Sequence, residues 1–235
     1  MSAVTVIRLL CAGAAKAIVA ALQPALIAET GAEVVGEFGA VGAMKAKLLA
    51  GDPCDLIVLT AAMIAELAGQ GHVEPDTIAS LGSVATGVAI RSGDAVPAIG
   101  DAGSLRRALL AATALYVPDP ERATAGIHFV GVLGRLGIAG DVTPRLRAFP
   151  NGAIAMRALA DANENGGLGC TQVSEILYTP GVTLVGALPG EFALTTVYSV
   201  AVCARATSPQ LARRVAATLS GPGSAALRAQ GGFVS

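Results

Sequence analysis

Apolar residues along this chain follow two alternating periods. Short runs of aliphatic and β-branched residues give way to longer stretches in which apolar positions recur every third or fourth residue. The runs predict strands over residues 4–10, 33–38, 56–60, 84–91, 115–117, 168–172, 183–185 and 195–203. The longer stretches predict helices over 14–30, 42–50, 62–70, 104–112, 124–136, 153–163, 210–219 and 224–230. Gly31 stands where the first long helix must stop, and Ser104 is placed to cap the fourth. Strands that alternate with helices imply parallel sheets covered on both faces, an α/β protein. Sites in such sheets lie beyond the carboxyl ends of the strands, at helix N-termini.

Two long extended stretches, SLGSVATGVA (80–89) and LTTVYSVAV (194–202), each link one block of β/α units to the next. Taken as crossings, they divide the chain into one lobe of residues 1–81 plus 195–235 and a second of residues 82–194. A two-lobed protein of this kind is expected to hold its ligand in the cleft between lobes.

Composition narrows the function. Hydrophobic residues make up 53% and charged residues 14%, which excludes a disordered chain. A net charge of −1, 3% aromatic residues and no tryptophan exclude a nucleic-acid-binding surface. Charged residues or glycines break every apolar run before about 18 residues, so no stable membrane association is expected. The opening MSAVTVIRLLCAGAAKAIVAAL has no basic segment ahead of its apolar stretch, and Arg8 and Lys16 interrupt it. The expectation is a cytoplasmic protein without a secretory signal. Cys11, Cys54, Cys170 and Cys203 form no CxxC, which excludes zinc by spacing; Cys54 and Cys203 are expected as small core residues. No metal and no cofactor are expected.

In FGAVGAMKAKLLAGDPCDLIVLT (38–60) a glycine-broken turn opens directly into a helix, which brings backbone N–H groups up to an anion. Together with VTVIRLLCAGAAKAI, YVPDPERATAGIHFVGVLGRLG and LGCTQVSEI, this stretch resembles the molybdate-type solute-binding proteins. The resemblance implies the two-lobed type II periplasmic-binding fold. It also implies oxyanion donors after the first strand, before the second helix and late in the chain. Members use serine hydroxyls at the first two places and a tyrosine at the third. Here those positions hold Ala14, a hydroxyl-free stretch over 39–43, and Gln172. Backbone donors remain at Ala14 and Ala15, Gly42 and Ala43, and Ala125 and Gly126, with room for a ligand larger than molybdate. A small organic carboxylate is the expected anion.

Other polar residues complete the candidate set. Lys16 lies in a first helical turn, where a cation is disfavoured unless an anion is near. Thr124 suits an N-cap that also faces an anion. His128, at the start of GIHFVGVL, is the candidate acid or base, and Lys16 its candidate companion. Asn151 and Gly152 open a helix after Pro150, and Thr171 stands beside Gln172, a donor for a carboxylate. There is no Ser–His–Asp arrangement or Walker loop. Aconitate isomerase is similar in fold to the molybdate-binding proteins, which leads to the expected function: a cytoplasmic isomerase moving a double bond in an aconitate-like carboxylate. The alternatives are a transporter-type binding protein for a small anion, which alone would need a membrane transporter as partner, and a cytoplasmic ligand sensor.

Overall fold

The computed structural model describes residues 5–234; Val4, where the first predicted strand begins, lies outside the described residues. In chain order the first half contains β1 (Thr5–Ala12), a 3-10 turn (Gly13–Ala15), α1 (Lys16–Thr30), β2 (Ala32–Gly39), α2 (Val41–Ala50), β3 (Leu56–Thr60), α3 (Ala61–Gly69) and β4 (Ala79–Arg91). The middle contains α4 (Ala102–Ala111), β5 (Leu115–Pro118), α5 (Thr124–Arg135), α6 (Ala139–Val142), β6 (Leu146–Phe149), α7 (Gly152–Ala160), β7 (Leu168–Gln172) and α8 (Val173–Tyr178). The chain then forms β8 (Val182–Ala187), β9 (Thr195–Val202), α9 (Pro209–Ser220) and α10 (Ala225–Gln230). The chain divides into two compact units, one running up to Ser83 and resuming from Val197, the other Val84–Thr196.

In the first unit β1 lies between β2 and β3, parallel to both, and β9 pairs antiparallel with β3. Ile7, Leu56, Ile57, Leu59, Ile64 and Leu67 are fully buried there. Four consecutive buried residues at the start of β3 mark a strand covered on both faces, which is why it reads as an unbroken apolar run. Gly31 and Gly51 end α1 and α2 with φ of 71° and 92°, a left-handed cap that glycine enters without a Cβ clash. Asp55, just before β3, accepts the amide of Arg8 at 2.8 Å and both the amide and hydroxyl of Thr207 at 2.7 and 2.8 Å. Burial opposes its charge, but these donors hold the carboxyl below its usual range.

In the second unit β5 is parallel to β6 and β7, while β4 pairs antiparallel with both β7 and β8. Leu105, Leu109, Phe129, Val132 and Leu133 pack in one apolar cluster. Tyr116, Ala155, Met156, Leu159 and Ile176 form another.

The sheets are therefore mixed, where alternation alone predicted parallel ones. β4, β8 and β9 carry the antiparallel pairings, a choice made by connections that leave no local pattern. The cap of α4 also differs: Asp101 is the N-cap, and Ser104 is the reciprocal third position of a capping box. Among the described residues no helix is long and apolar enough to cross a membrane.

Candidate anion-binding site

The first unit sets two helix starts side by side. The last residues of β1 and β2, Ala12 and Gly39, are register partners on adjacent parallel strands. Each strand turns at once into helical backbone: Gly13–Ala15 leads into α1, and Ala40 caps α2. No side chain caps either start. The first amides of a helix have no intrahelical acceptor, so Gly13, Ala14 and Ala15, and Val41, Gly42 and Ala43, present N–H groups at one end of the sheet. Ala14, Ala15, Ala40 and Val41 are buried, and Gly39 packs its Cα on the Met44 side chain. The walls are small and apolar. Lys16 stands at the first position of α1 with its Nζ 5.8 Å from the centroid of the Phe38 ring on β2. The helix dipoles and desolvated amides favour an anion here.

In the second unit the loop after β5 is shaped by Asp119, whose Oδ1 accepts the amides of Glu121 and Arg122 at 2.8 and 3.0 Å. Helix α5 starts from Ala123, and Thr124 is its first helical residue rather than its cap. The amides of Thr124, Ala125 and Gly126 thus occupy the uncapped first turn. Gly126 also has a packing duty, because a Cβ there would lie 2.3 Å from the Asp119 carbonyl and 2.4 Å from that of Pro118. His128, one turn on, is half-buried, with Nε2 2.8 Å from the Phe192 carbonyl oxygen. A carbonyl only accepts, so Nε2 carries a hydrogen, which leaves Nδ1 as the ring nitrogen able to exchange a proton.

Asn151, Gly152, Thr171 and Gln172 surround a residue absent from the expected set. Asn151 caps α7 through its Oδ1, which accepts from Ile154 at 2.9 Å. The amide of Gly152 already has an acceptor: the buried carboxyl of Glu175, which also accepts from the amides of Ala153 and Gln172. Thr171 donates its hydroxyl to Glu175 Oε2 at 2.5 Å. Gly152 is packed so closely that a Cβ would fall 2.0 Å from both Glu175 Oε2 and Thr171 Oγ1. Gln172 is buried, with Nε2 3.4 Å from the Thr196 hydroxyl. Among the described residues, its Oε1, the Ser174 hydroxyl and the Thr86 hydroxyl have no hydrogen-bond partner. Thr86 is the register partner of Gln172 on β4.

Burial pushes the Glu175 carboxyl above its ordinary value, with Thr171 and the three amides opposing the rise. The native state then holds this proton more tightly than the unfolded chain does. Glu175's contribution to stability is present below the unfolded value of about 4.3 and is lost as pH rises through the native value. Glu175→Gln keeps the shape and removes the ionisation. Urea midpoints of the two proteins compared between acid and neutral pH should therefore show the variant gaining on the wild type as pH rises. Parallel pH profiles would refute this.

The expected residues thus form three groups. Ala14, Ala15, Gly42, Ala43 and Lys16 meet in the first unit; Thr124, Ala125, Gly126 and His128 share α5; Asn151, Gly152, Thr171 and Gln172 surround Glu175. The residues missed were Glu175, Ser174, Thr86 and Thr196. The one signal for Glu175 was its place four after Thr171 in TQVSE, with no cation near it in sequence.

Comparison with known proteins follows the same lines. The sequence profile of the bacterial extracellular solute-binding proteins matches residues 7–234. The aconitate isomerase of a Pseudomonas species is 26% identical over 171 residues, 71% of this chain. The chain spans 62% of that relative's length in the match. The periplasmic molybdate-binding protein of Azotobacter vinelandii superposes with a TM-score of 0.80 at 18% identity, covering 97% of this chain and 99% of the other. The sulfate-binding protein SubI of Mycobacterium tuberculosis H37Rv gives a TM-score of 0.76 at 20% identity over 97% and 86% of the two chains. These likenesses give the fold: an α/β periplasmic-binding-protein architecture of the type II class.

Proposed function

We propose that this chain, which belongs to the family of bacterial extracellular solute-binding proteins, binds a small organic polycarboxylate rather than a bare tetrahedral oxyanion. The observation that carries the reading is the pair of uncapped helix starts behind the register partners Ala12 and Gly39. Neither start has a hydroxyl, since residues 12–15 are Ala, Gly, Ala and Ala, and residues 39–43 are Gly, Ala, Val, Gly and Ala. A carboxylate needs few donors, all near one plane, which neighbouring amides supply. A tetrahedral oxyanion spreads its charge over four oxygens and leaves more of them unpaired among alanines. Small side chains leave room for the rest of an organic acid.

Isothermal titration calorimetry on the whole chain tests this against aconitate, citrate, dicarboxylates, molybdate and sulfate. Each missing hydroxyl-to-oxyanion bond removes roughly 1.5–3 kcal/mol, so two should weaken molybdate by at least about a hundredfold. The expected result is a polycarboxylate bound and molybdate weak or silent. Submicromolar molybdate binding would end the reading.

A second reading is favoured by the aconitate isomerase relative together with His128: the bound carboxylate is also isomerised. An allylic shift needs one group to remove a proton beside a carboxylate and return it at the other end, with fixed donors steadying the enolate-like charge between. Nδ1 of His128 is the base in this reading. The enzyme would then work in the cytoplasm without a transporter, whereas the binding protein would work outside it with one. Conversion of aconitate by the purified chain separates the two.

A further inference from the structure

Cys54 and Cys203 are not among the candidate-site residues. We infer that they form a redox-active pair that closes to a disulfide under oxidising conditions and clips the discontinuous first unit. Both are buried free thiols, with their sulfurs 3.4 Å apart. Cys54 stands two residues before β3 and Cys203 one residue after β9, at the joined ends of an antiparallel pair in which Leu56 faces Val202. The Cys203 amide donates to the Asp55 carbonyl at 2.9 Å, which ties the two backbones together where the bridge would form. The residues are 149 positions apart, and β9 is the strand by which the chain returns to this unit. A bridge here closes the whole intervening excursion into one loop.

The thiols are also reachable and unequal. Both line a cavity of about 470 Å³ in the first unit, together with Arg8, Asp55, His72 and Arg205. Its arginines suit a small anionic disulfide as oxidant. The Cys203 S–H donates to the Cys54 sulfur, and this donor, opposed by burial, draws the Cys54 thiol below its ordinary value; the same contact and burial push Cys203 up. Cys54, the more exposed of the two at 8% against 1%, is the thiol that loses its proton and attacks. It displaces one thiolate from the oxidant and forms a mixed disulfide. Cys203 then gives up its proton and attacks the Cys54 sulfur, and the second oxidant thiolate leaves. Two protein thiols are oxidised, and one small disulfide is reduced to two thiols. Cys11 and Cys170 are fully buried with their thiols raised by desolvation, and stay reduced.

The test incubates the whole native protein with oxidised glutathione or with dithiothreitol. Thiols titrated after unfolding should drop from four to two, and peptide mapping should find Cys54 joined to Cys203. The oxidised form should melt about 5–15 °C higher, because a long closed loop restricts the unfolded chain. Cys54→Ser and Cys203→Ser should each abolish the bridge and the shift while the reduced proteins melt close to the reduced wild type. If either variant fails to fold, mapping of the wild type alone decides. Four thiols persisting in oxidant, a stable glutathione adduct only, or a bridge to Cys11 would each overturn the inference.

Discussion

Gly126→Ala should destabilise the second unit by about 3 kcal/mol or more, the upper part of the range for forcing atoms into a packed site. The added Cβ meets the Asp119 carbonyl oxygen at 2.3 Å and the Pro118 carbonyl oxygen at 2.4 Å. Both are backbone, so no rotamer change relieves the clash; α5 must lift from the end of β5. Phe129, Val132 and Leu133 on that helix are core residues, and lifting it opens their packing. Gly131, on the same helix with nothing within 4 Å of its Cβ position, is the control. Gly131→Ala should hold or raise stability, by up to about 1 kcal/mol, because alanine favours the helix. Urea unfolding of the three proteins checks both. An unchanged midpoint for Gly126→Ala would mean that α5 can lift from the loop at little cost.

His128→Gln should lower the turnover of aconitate by about 10²–10⁴-fold while ligand affinity stays within a few-fold, provided that the chain isomerises its ligand. The expectation rests on which nitrogen is free. Nε2–H is committed to the Phe192 carbonyl at 2.8 Å, which fixes the ring and leaves Nδ1 as the proton acceptor. Glutamine can still donate to that carbonyl, so the helix and the Gly190–Phe192 turn keep their contact. It cannot take a proton near neutral pH. A base acts in the transition state and contributes little to holding the ground state, so kcat falls and binding does not. Proton NMR in deuterated water follows both conversion and deuterium wash-in at the allylic carbon. Wild type that binds aconitate yet shows neither conversion nor exchange would leave the binding protein as the function.

Several features were legible because their causes are local. Residues 56–60 and 168–172 form strands at the predicted boundaries, the first an apolar run and the second a short stretch set off by the glycines before it, signals that act within a few positions. Gly31 ends α1 because a left-handed residue is needed just there. The turn from each strand into a helix, and with it the uncapped amides at Ala14, Ala15, Gly42 and Ala43, follows from glycine and alanine in a short stretch with no capping side chain.

Other features arise only when distant segments meet. β6 was missed because it is a half-exposed strand without alternation, formed by pairing with β5. α8 is six residues long, too short for its period to stand out. No local pattern told β9 to run antiparallel to β3, nor placed Cys203 against Cys54 across 149 residues. Gly152 looked like an open donor because its partner belongs to another helix. The Glu175 carboxyl reaches it only once α7 and α8 are packed, and it then occupies the amides a ligand would have used. Backbone conformation was set by neighbours along the chain. Which polar groups remain free for a ligand was set by packing, because a buried donor takes whichever acceptor the folded chain brings to it.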